Sequence, residues 1–420
     1  MTTTTATSQL PVAERLPVLD VLRGFALLGI LIMNMPGFSS SPFAGADGSH
    51  VWPGAVDQWA EHVRDALFSG KFNSMFSLLF GIGFTIQYQR MQQQDPLHAD
   101  ALYLRRLLVL AAFGLVHGLV FWYGDILHSY ALLGLLLLFA LRRLRDRGLI
   151  ALMAVLLLYP AISGTLRVLI MTPDVVIERM RAAQAFEASN NAAFGHGSFV
   201  DAAVEHARVT LYHYGTRLSL WGTFGFYVQI ALTMVLGVLA GRRGWARRTS
   251  ELLPSIRRLT WWSLGLGLGC AIVYTVIFEL NRVPGPSPIK VLGGFCYSLS
   301  RVATMAFYVL VLVQLCQHPA WLRRFEPIAA AGRMPLTNYL MQTAVCITLF
   351  EGWGLGWWGK VGPALGLALA PAIFFCIQVP LSLWWLRGHE RGPLEALWAR
   401  LTYGSPSRRA ALPPRAAGGA

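Results

Sequence analysis

Long apolar stretches alternate along this chain with short polar, arginine-rich ones. "YALLGLLLLFALRRLR" and "GLIALMAVLLLYPAISGTLRVLIM" are typical. A helix needs about 20 apolar residues to cross a bilayer, and no irregular backbone can sit exposed in lipid. The pattern predicts ten spans, at about 18–36, 72–90, 103–122, 125–141, 148–171, 219–240, 258–280, 291–316, 330–350 and 363–387. The expected fold is therefore all-α: a polytopic membrane protein of about ten transmembrane helices in a single domain over 16–403. Residues 1–15 and 404–420 lack periodicity and are expected to be disordered. The longest loop, 172–218, holds two amphipathic stretches, "PDVVIERMRAAQAFEA" and "FVDAAVEHARVTLYHY", which suit an outer cap or an interfacial position. No cleavable leader is expected, because the first apolar run is long enough to span.

The loops alternate in charge. "YQRMQQQDPLHADALYLRR", "LRRLRDRG", "GRRGWARRTSELLPSIRR", "QHPAWLRRFEPIAAAGR" and the stretch after Arg387 are rich in arginine, and the intervening loops are not. Positive residues stay on the cytoplasmic side, so both termini are assigned there, which requires an even number of spans.

Composition agrees with this reading. Of 420 residues, 55% are hydrophobic and 13% charged, where a soluble chain carries about 25% charged residues. Mean hydropathy is +0.49. The net charge of +14 is mostly arginine, the lysines being Lys71, Lys290 and Lys360. In a soluble protein that balance would suggest nucleic acid. Here it is loop bias, and no nucleic-acid partner is expected. The five cysteines lie in apolar segments without paired spacing, so they read as buried thiols packing like small hydrophobes.

Polar residues inside spans are costly and mark candidate sites. "LDVLRGFALLGILIMNM" places Asp20, Arg23 and Asn34 on one helix face. Arg23 and Asn34 are about 20° apart in azimuth and roughly 16 Å apart along the axis. Asp20, Arg23, Arg333, Asn338 and the terminal "RGPLEALWAR" fall near the inner ends; Asn34, Lys71, Asn73, His117 and Asp125 fall near the outer ends. The inner set serves either as a clamp on helix ends or as a cationic vestibule for a phosphate-bearing donor. In "HGLVFWYGDILHSYA" a tight turn brings the third and fourth spans together. Asp125 can then orient His117 as a base, or it can simply cap its helix. His117, Asp125 and His128 match no standard ligand spacing, so no metal is expected. His206 and His213 read as solvated, and Lys71 as snorkelling at the outer interface. Gly81 and Gly83 would admit close backbone approach, and Asn338 with Gln342 would bridge helices or position a substrate.

Five stretches together resemble the hallmarks of the YeiB-like family, labelled domain of unknown function 418. They are "LDVLRGFALLGILIMNM", "KFNSMFSLLFGIGF", "YLRRLLVLAAFGLVHGLVFWYGDILHSYALLGL", "GRMPLTNYLMQT" and "RGPLEALWAR". The resemblance implies kinship with transmembrane acyltransferases, including acyltransferase family 3 and the heparan-glucosaminide acetyltransferases. Those enzymes carry an acyl group from a cytoplasmic thioester to an acceptor on the other side. Acyltransferase family 3 keeps an Arg and a His separated by ten residues on the first helix. Here Asn34 stands in the His position, and an amide is no base at neutral pH.

The resemblance thus implies a bacterial cytoplasmic (inner) membrane acyltransferase. Arg23, Arg333 and Asp20 would hold acyl-CoA, most simply acetyl-CoA. His117 and Asp125 match the family's "HG…GD" and would act on the acceptor, with Asn34 orienting the reacting group. Lys71, Asn338 and Gln342 would position the substrate. The expected partners are membrane lipid, the cytoplasmic acyl donor, an acceptor not identified by sequence (sugar, lipid or small metabolite) and a second copy in a homodimer. The alternative is a metabolite or lipid transporter with a His/Asp proton relay. The lack of a detectable inverted repeat and the few broken helices weigh against it. A non-enzymatic scaffold or sensor is the third reading.

Overall fold

A computed structural model describes residues 16–217, 224–246 and 248–404. The stretches expected to be disordered and the start of the sixth span lie outside the described residues, Gly404 excepted. The described chain is helical throughout, without strands.

The first half runs α1 (Pro17–Ser39), α2 (Ala55–Leu67), α3 (Lys71–Gln94), α4 (Ala99–Val116), α5 (Leu127–Phe139), α6 (Asp146–Ile170), α7 (Pro173–His196) and α8 (Phe199–Arg217). The second runs α9 (Gly225–Arg242), α10 (Leu253–Leu280), α11 (Pro288–Leu315), α12 (Pro319–Arg324), α13 (Glu326–Gly332), α14 (Pro335–Phe350), α15 (Pro363–Ile373), α16 (Val379–Trp385) and α17 (Pro393–Tyr403). Two π-helical turns, His117–Phe121 after α4 and Phe374–Gln378 between α15 and α16, widen the helix locally. Seven helices among the described residues are long and apolar enough to cross a membrane. The other three expected spans are α3, whose last turns are polar, and α5 and α14, which are shorter. The chain is a multi-pass, all-α membrane protein.

α1 is the axis. In its most apolar stretch 67% of residues are buried, against 6% in α6, so α6 lies at the rim with Val155, Leu158, Ile162 and Leu169 facing outward. In lipid those faces need no cover. The same holds for the thiols: Cys296 and Cys346 are buried, Cys270 and Cys316 half-buried, and Cys376 faces outward. An apolar run does not reveal which of its sides meets protein.

Glycines set the tightest crossings. Gly81 on α3 and Gly237 on α9 face each other, and a Cβ on either would strike the other helix's backbone. Gly83, expected to do likewise, has nothing near it and instead lines a cavity.

The α2–α3 pair departs most from expectation. Asp57 on α2 accepts from the Ala364 amide at the outer end of α15 (3.0 Å). The Phe72 ring, one residue into α3, packs on Gly29, midway along α1. α2 therefore descends from the outer end, and α3 begins at half depth after Gly70, whose φ of +74° suits only glycine. Together they form one broken transmembrane element. Lys71 is accordingly not an interfacial snorkeller: it is 1% exposed, and its Nζ donates to the Asp65 carbonyl (2.6 Å). The amphipathic α2 occupies the outer part of this span, which the pattern of 72–90 alone does not disclose.

Candidate functional site

α4 ends in the π-helical turn, and the chain crosses to α5 through Trp122–Asp125. The crossing is close: a Cβ on Gly114 would strike the backbone of His128. Asp125 stands ahead of α5 and accepts three hydrogen bonds. Its Oδ1 takes His117 Nδ1–H (2.7 Å), and its Oδ2 takes His128 Nδ1–H (2.6 Å) and the His128 amide (3.0 Å). All three residues are buried, His117 and Asp125 at 2% and 1% exposure.

A carboxylate only accepts, so this bonding assigns the Nδ1–H tautomer to both imidazoles and leaves each Nε2 as an acceptor. His128 Nε2 receives Ser129 Oγ–H (3.1 Å), and His117 Nε2 receives the Thr343 hydroxyl from α14 (2.8 Å). Tyr339, one turn earlier on α14, sets its ring 5.3 Å from the His117 ring in a T-shaped contact. The result is a fixed imidazole with one basic nitrogen, pointing at an exchangeable hydroxyl. With both Nδ1 atoms turned onto Asp125, the three side chains do not converge on a common point. Among the described residues no group of three or more His, Cys, Asp or Glu has metal-holding geometry.

Two cavities approach this dyad. The larger, about 1280 Å³, opens between the inner ends of α1, α3, α4, α14 and α17. Arg23, Arg90, Arg105, Arg106, Arg333 and Arg391 ring its inner part. Leu79, Phe80, Leu110 and Ile126 line it further in, as far as Tyr130 and Tyr339. The smaller is an apolar groove of about 460 Å³ between α4 and α14, lined by Val109, Ala112, Val116 and Leu340 together with His117 and Thr343. Tyr339 stands between the inner cavity and His117.

The structure gathers Asp20, Arg23 and Arg333 in the inner cavity, with Arg23 Nη1 2.8 Å from Asp20 Oδ1. It does not gather the other expected contacts there. Asn338 Nδ2 donates to the Ala331 carbonyl and to Ser382 Oγ (both 3.0 Å). Gln342 Nε2 donates to the Leu27 carbonyl (3.0 Å) and Gln378 Oε1 (3.1 Å). These amides tie α1, α13, α14 and α16 together, the interhelical bridging role. Asn34 is half-buried, and neither it nor Lys71 lines the inner cavity or the groove.

Glu395 on α17 caps α14. Its Oε1 accepts the amides of Leu336 (2.6 Å) and Thr337 (3.1 Å), and its Oε2 accepts the Thr337 hydroxyl (2.6 Å). Trp398 holds α17 to α4: its indole donates to the Arg106 carbonyl (2.9 Å), and the Arg106 guanidinium lies 3.7 Å over its ring.

On the outer side α7 and α8 cover the bundle. Ser41 Oγ donates to Asn190 Oδ1 (3.0 Å), and Asn190 Nδ2 to Glu205 (2.7 Å). His206 is therefore buried rather than solvated, with its Nε2 2.8 Å from Glu351 Oε1 and its ring stacked on Phe194. An amphipathic helix shows which face is apolar, but not that a polar residue on it finds a buried partner.

Residue reading overlooked Thr343 and Arg301, and it weighed His128 only as a metal ligand. His128 shares Asp125, and its position three residues on is the spacing of a helix cap. Thr343 sits on the same face of "YLMQTAV" as Tyr339, but its contact with His117 depends on how α14 docks. Arg301 is a lone ion inside "GGFCYSLSRVATMAF", a signal plain in the sequence.

Known proteins match this chain over most of its length. It is 30% identical over 401 residues to the uncharacterized protein YxaH of Bacillus subtilis (strain 168), covering 93% of this chain and 94% of YxaH. It is also 30% identical over 428 residues to the uncharacterized protein YeiB of Escherichia coli (strain K12), covering 93% and 96%. A 39.9 kDa protein from the amylase 3' region of Bacillus acidopullulyticus is 28% identical, covering 93% and 94%. The family model "Protein of unknown function (DUF418)" matches residues 240–405, from the end of α9 through α17. The protein belongs to the DUF418 family, alongside YxaH and YeiB.

Proposed function

We propose that this protein is an acyltransferase of the bacterial cytoplasmic membrane, moving an acyl group from a cytoplasmic acyl-CoA to an acceptor reached from the other side. One observation carries the reading: the arginine-lined inner cavity turns apolar with depth and closes at Tyr339, whose ring contacts the His117–Asp125 dyad. Arg23, Arg333 and their neighbours hold the donor's phosphates in bidentate fashion. The acyl-bearing thioester extends along the apolar depth toward Tyr130 and Tyr339, and the Tyr339 ring swings aside to bring it to the acceptor at His117.

The acceptor's hydroxyl or amine takes the place of the Thr343 hydroxyl at His117 Nε2. Nε2 removes its proton as the acceptor's oxygen or nitrogen bonds to the thioester carbonyl carbon. The C–S bond breaks, and the departing thiolate recovers a proton from the imidazolium. Asp125 holds the ring and stabilises its charged form. His128, bonded to the second carboxylate oxygen, keeps Asp125 in place.

The test is transfer of radiolabelled acetyl from acetyl-CoA in proteoliposomes. His117→Ala is expected to reduce it by about 10²–10⁴-fold. Unchanged transfer would remove His117 from the mechanism.

Transport is the second reading, and two observations favour it. α2–α3 is a broken element with its inner helix starting at half depth, as in many transporter sites. A further cavity opens on the outer side, so the bundle holds a cavity toward each face. Counterflow of a labelled solute without chemical change would establish this reading instead.

A further inference from the structure

That outer cavity takes no part in the proposed transfer. It has a volume of about 800 Å³ and lies between α6, α9 and α11, beneath α7. Four cations line it, Arg167, Arg179, Lys290 and Arg301, and none of its described lining residues is Asp or Glu.

Arg301 lies deepest, roughly 20 Å from the start of α11 along the helix axis. It is 5% exposed, no carboxylate pairs with it among the described residues, and its Nε has no hydrogen-bond partner. The guanidinium sits 5.5 Å from the centre of the Tyr297 ring and packs directly on Gly70, where any side chain would displace it. Room has thus been kept for a buried charge that no acid among the described residues neutralises. Ionised groups at such depth are costly unless paired, and where they occur they mark ligand or ion sites.

Other polar atoms at this wall are also unspent. Gln229 donates its amide to Ser298 Oγ but leaves Oε1 without a partner, and Ser287 Oγ has none. Lys71, the other buried cation nearby, is already committed to the Asp65 carbonyl.

We propose that this cavity binds a phosphate-bearing ligand entering from the outer side, with Arg301 as its deepest contact. A single carboxylate would bring one charge and two acceptor oxygens. A phosphoryl group brings up to two charges and several acceptor oxygens, and matches guanidinium forks bidentately. Met171, Met180 and Val291 give the cavity an apolar flank, so the phosphate can belong to a lipid headgroup or to a soluble ester. The inference stands apart from acyl transfer and holds under either functional reading.

The experiment titrates full-length protein in maltoside micelles, after extensive lipid removal, with glycerol 3-phosphate in one arm and short-chain phosphatidylglycerol in the other. Binding is followed by calorimetry and melting temperature. Binding of glycerol 3-phosphate assigns a soluble ester, and binding of phosphatidylglycerol alone assigns a headgroup. Arg301→Gln and Arg167→Gln are each expected to weaken binding by about tenfold or more, the scale of one charge-assisted hydrogen bond. Arg23→Gln, in the inner cavity, should leave it unchanged.

Arg301→Gln has a second readout. Removing an unneutralised buried charge should leave the empty protein melting no lower than wild type, whereas a structural arginine would lower it. Should Arg301→Gln fail to fold, Arg167→Gln and Arg179→Gln decide. Undiminished binding in those variants, or no binding of either probe by the wild type, overturns the proposal.

Discussion

The inner and outer cavities are both lined by cations, but only the inner one mixes them with acids. There Asp20 sits 2.8 Å from Arg23, and Asp95 and Glu395 share the wall with the arginines. The outer cavity has four cations and no acid among its described lining residues. The difference separates two uses of charge in a membrane protein. Where acids accompany arginines, the pairs also hold helix ends, and a ligand must compete with them. Where a buried cation such as Arg301 has no carboxylate paired with it among the described residues, the fold carries a cost that an anion from outside relieves.

The sharpest way to break this comparison is at the dyad behind Tyr339, which lines the inner cavity and is no part of the outer one. Asp125→Asn keeps the shape but provides one acceptor oxygen where the two imidazoles use two, so one tautomer must flip. Transfer is expected to fall by about 10³-fold, within the range of lost acid–base catalysis. Acyl-CoA binding in the inner cavity and phosphate binding in the outer one should both persist. Loss of either, by calorimetry, would mean that the dyad shapes the cavities rather than acting on an acceptor.

The inner cavity's mixed charge can be broken structurally. Glu395→Ala leaves the Leu336 and Thr337 amides at the start of α14 without their acceptor. A lost cap of this kind costs about 1–2 kcal/mol, seen as a lower melting temperature. Because α14 also carries Tyr339 and Thr343, transfer should weaken in the same variant while the outer cavity still binds its probe. Arg333→Gln, in contrast, should raise the acyl-CoA KM by about tenfold with little change in kcat. That is the effect of removing one charge-assisted hydrogen bond that serves the ground state and the transition state alike.

How far each region could be read in advance follows its physics. Long apolar periods mark spans because lipid tolerates nothing else, so the order and placement of helices were legible. The meeting of His117 and Asp125 was legible too, since "FWYGD" leaves the chain no length to separate α4 from α5. Thr343 and Tyr339 were not legible, because their contact with His117 depends on the docking of α14, more than 200 residues away in sequence. Lys71 was misplaced for a related reason: its depth is set by α2, which carries a polar face into the span. Arg301 differs from all of these. Its signal was a charge within an apolar run, but its meaning depends on the acids missing around it, and only the packed structure shows those.

Asn34 offers the finest test of the same contrast. It stands where acyltransferase family 3 keeps a histidine, yet it is half-buried and lines neither the inner cavity nor the groove at His117. If the dyad has taken over the chemistry, Asn34→Ala should change kcat/KM by no more than about threefold, less than the 10² or more expected for a lost base. Asn34→His then sharpens the point. A base restored at that depth is expected to leave His117→Ala inactive in the double variant, because the inner cavity ends at Tyr130 and Tyr339 and not at residue 34. Recovery of transfer in that double variant would place the reaction on the first helix after all, and the dyad beside it.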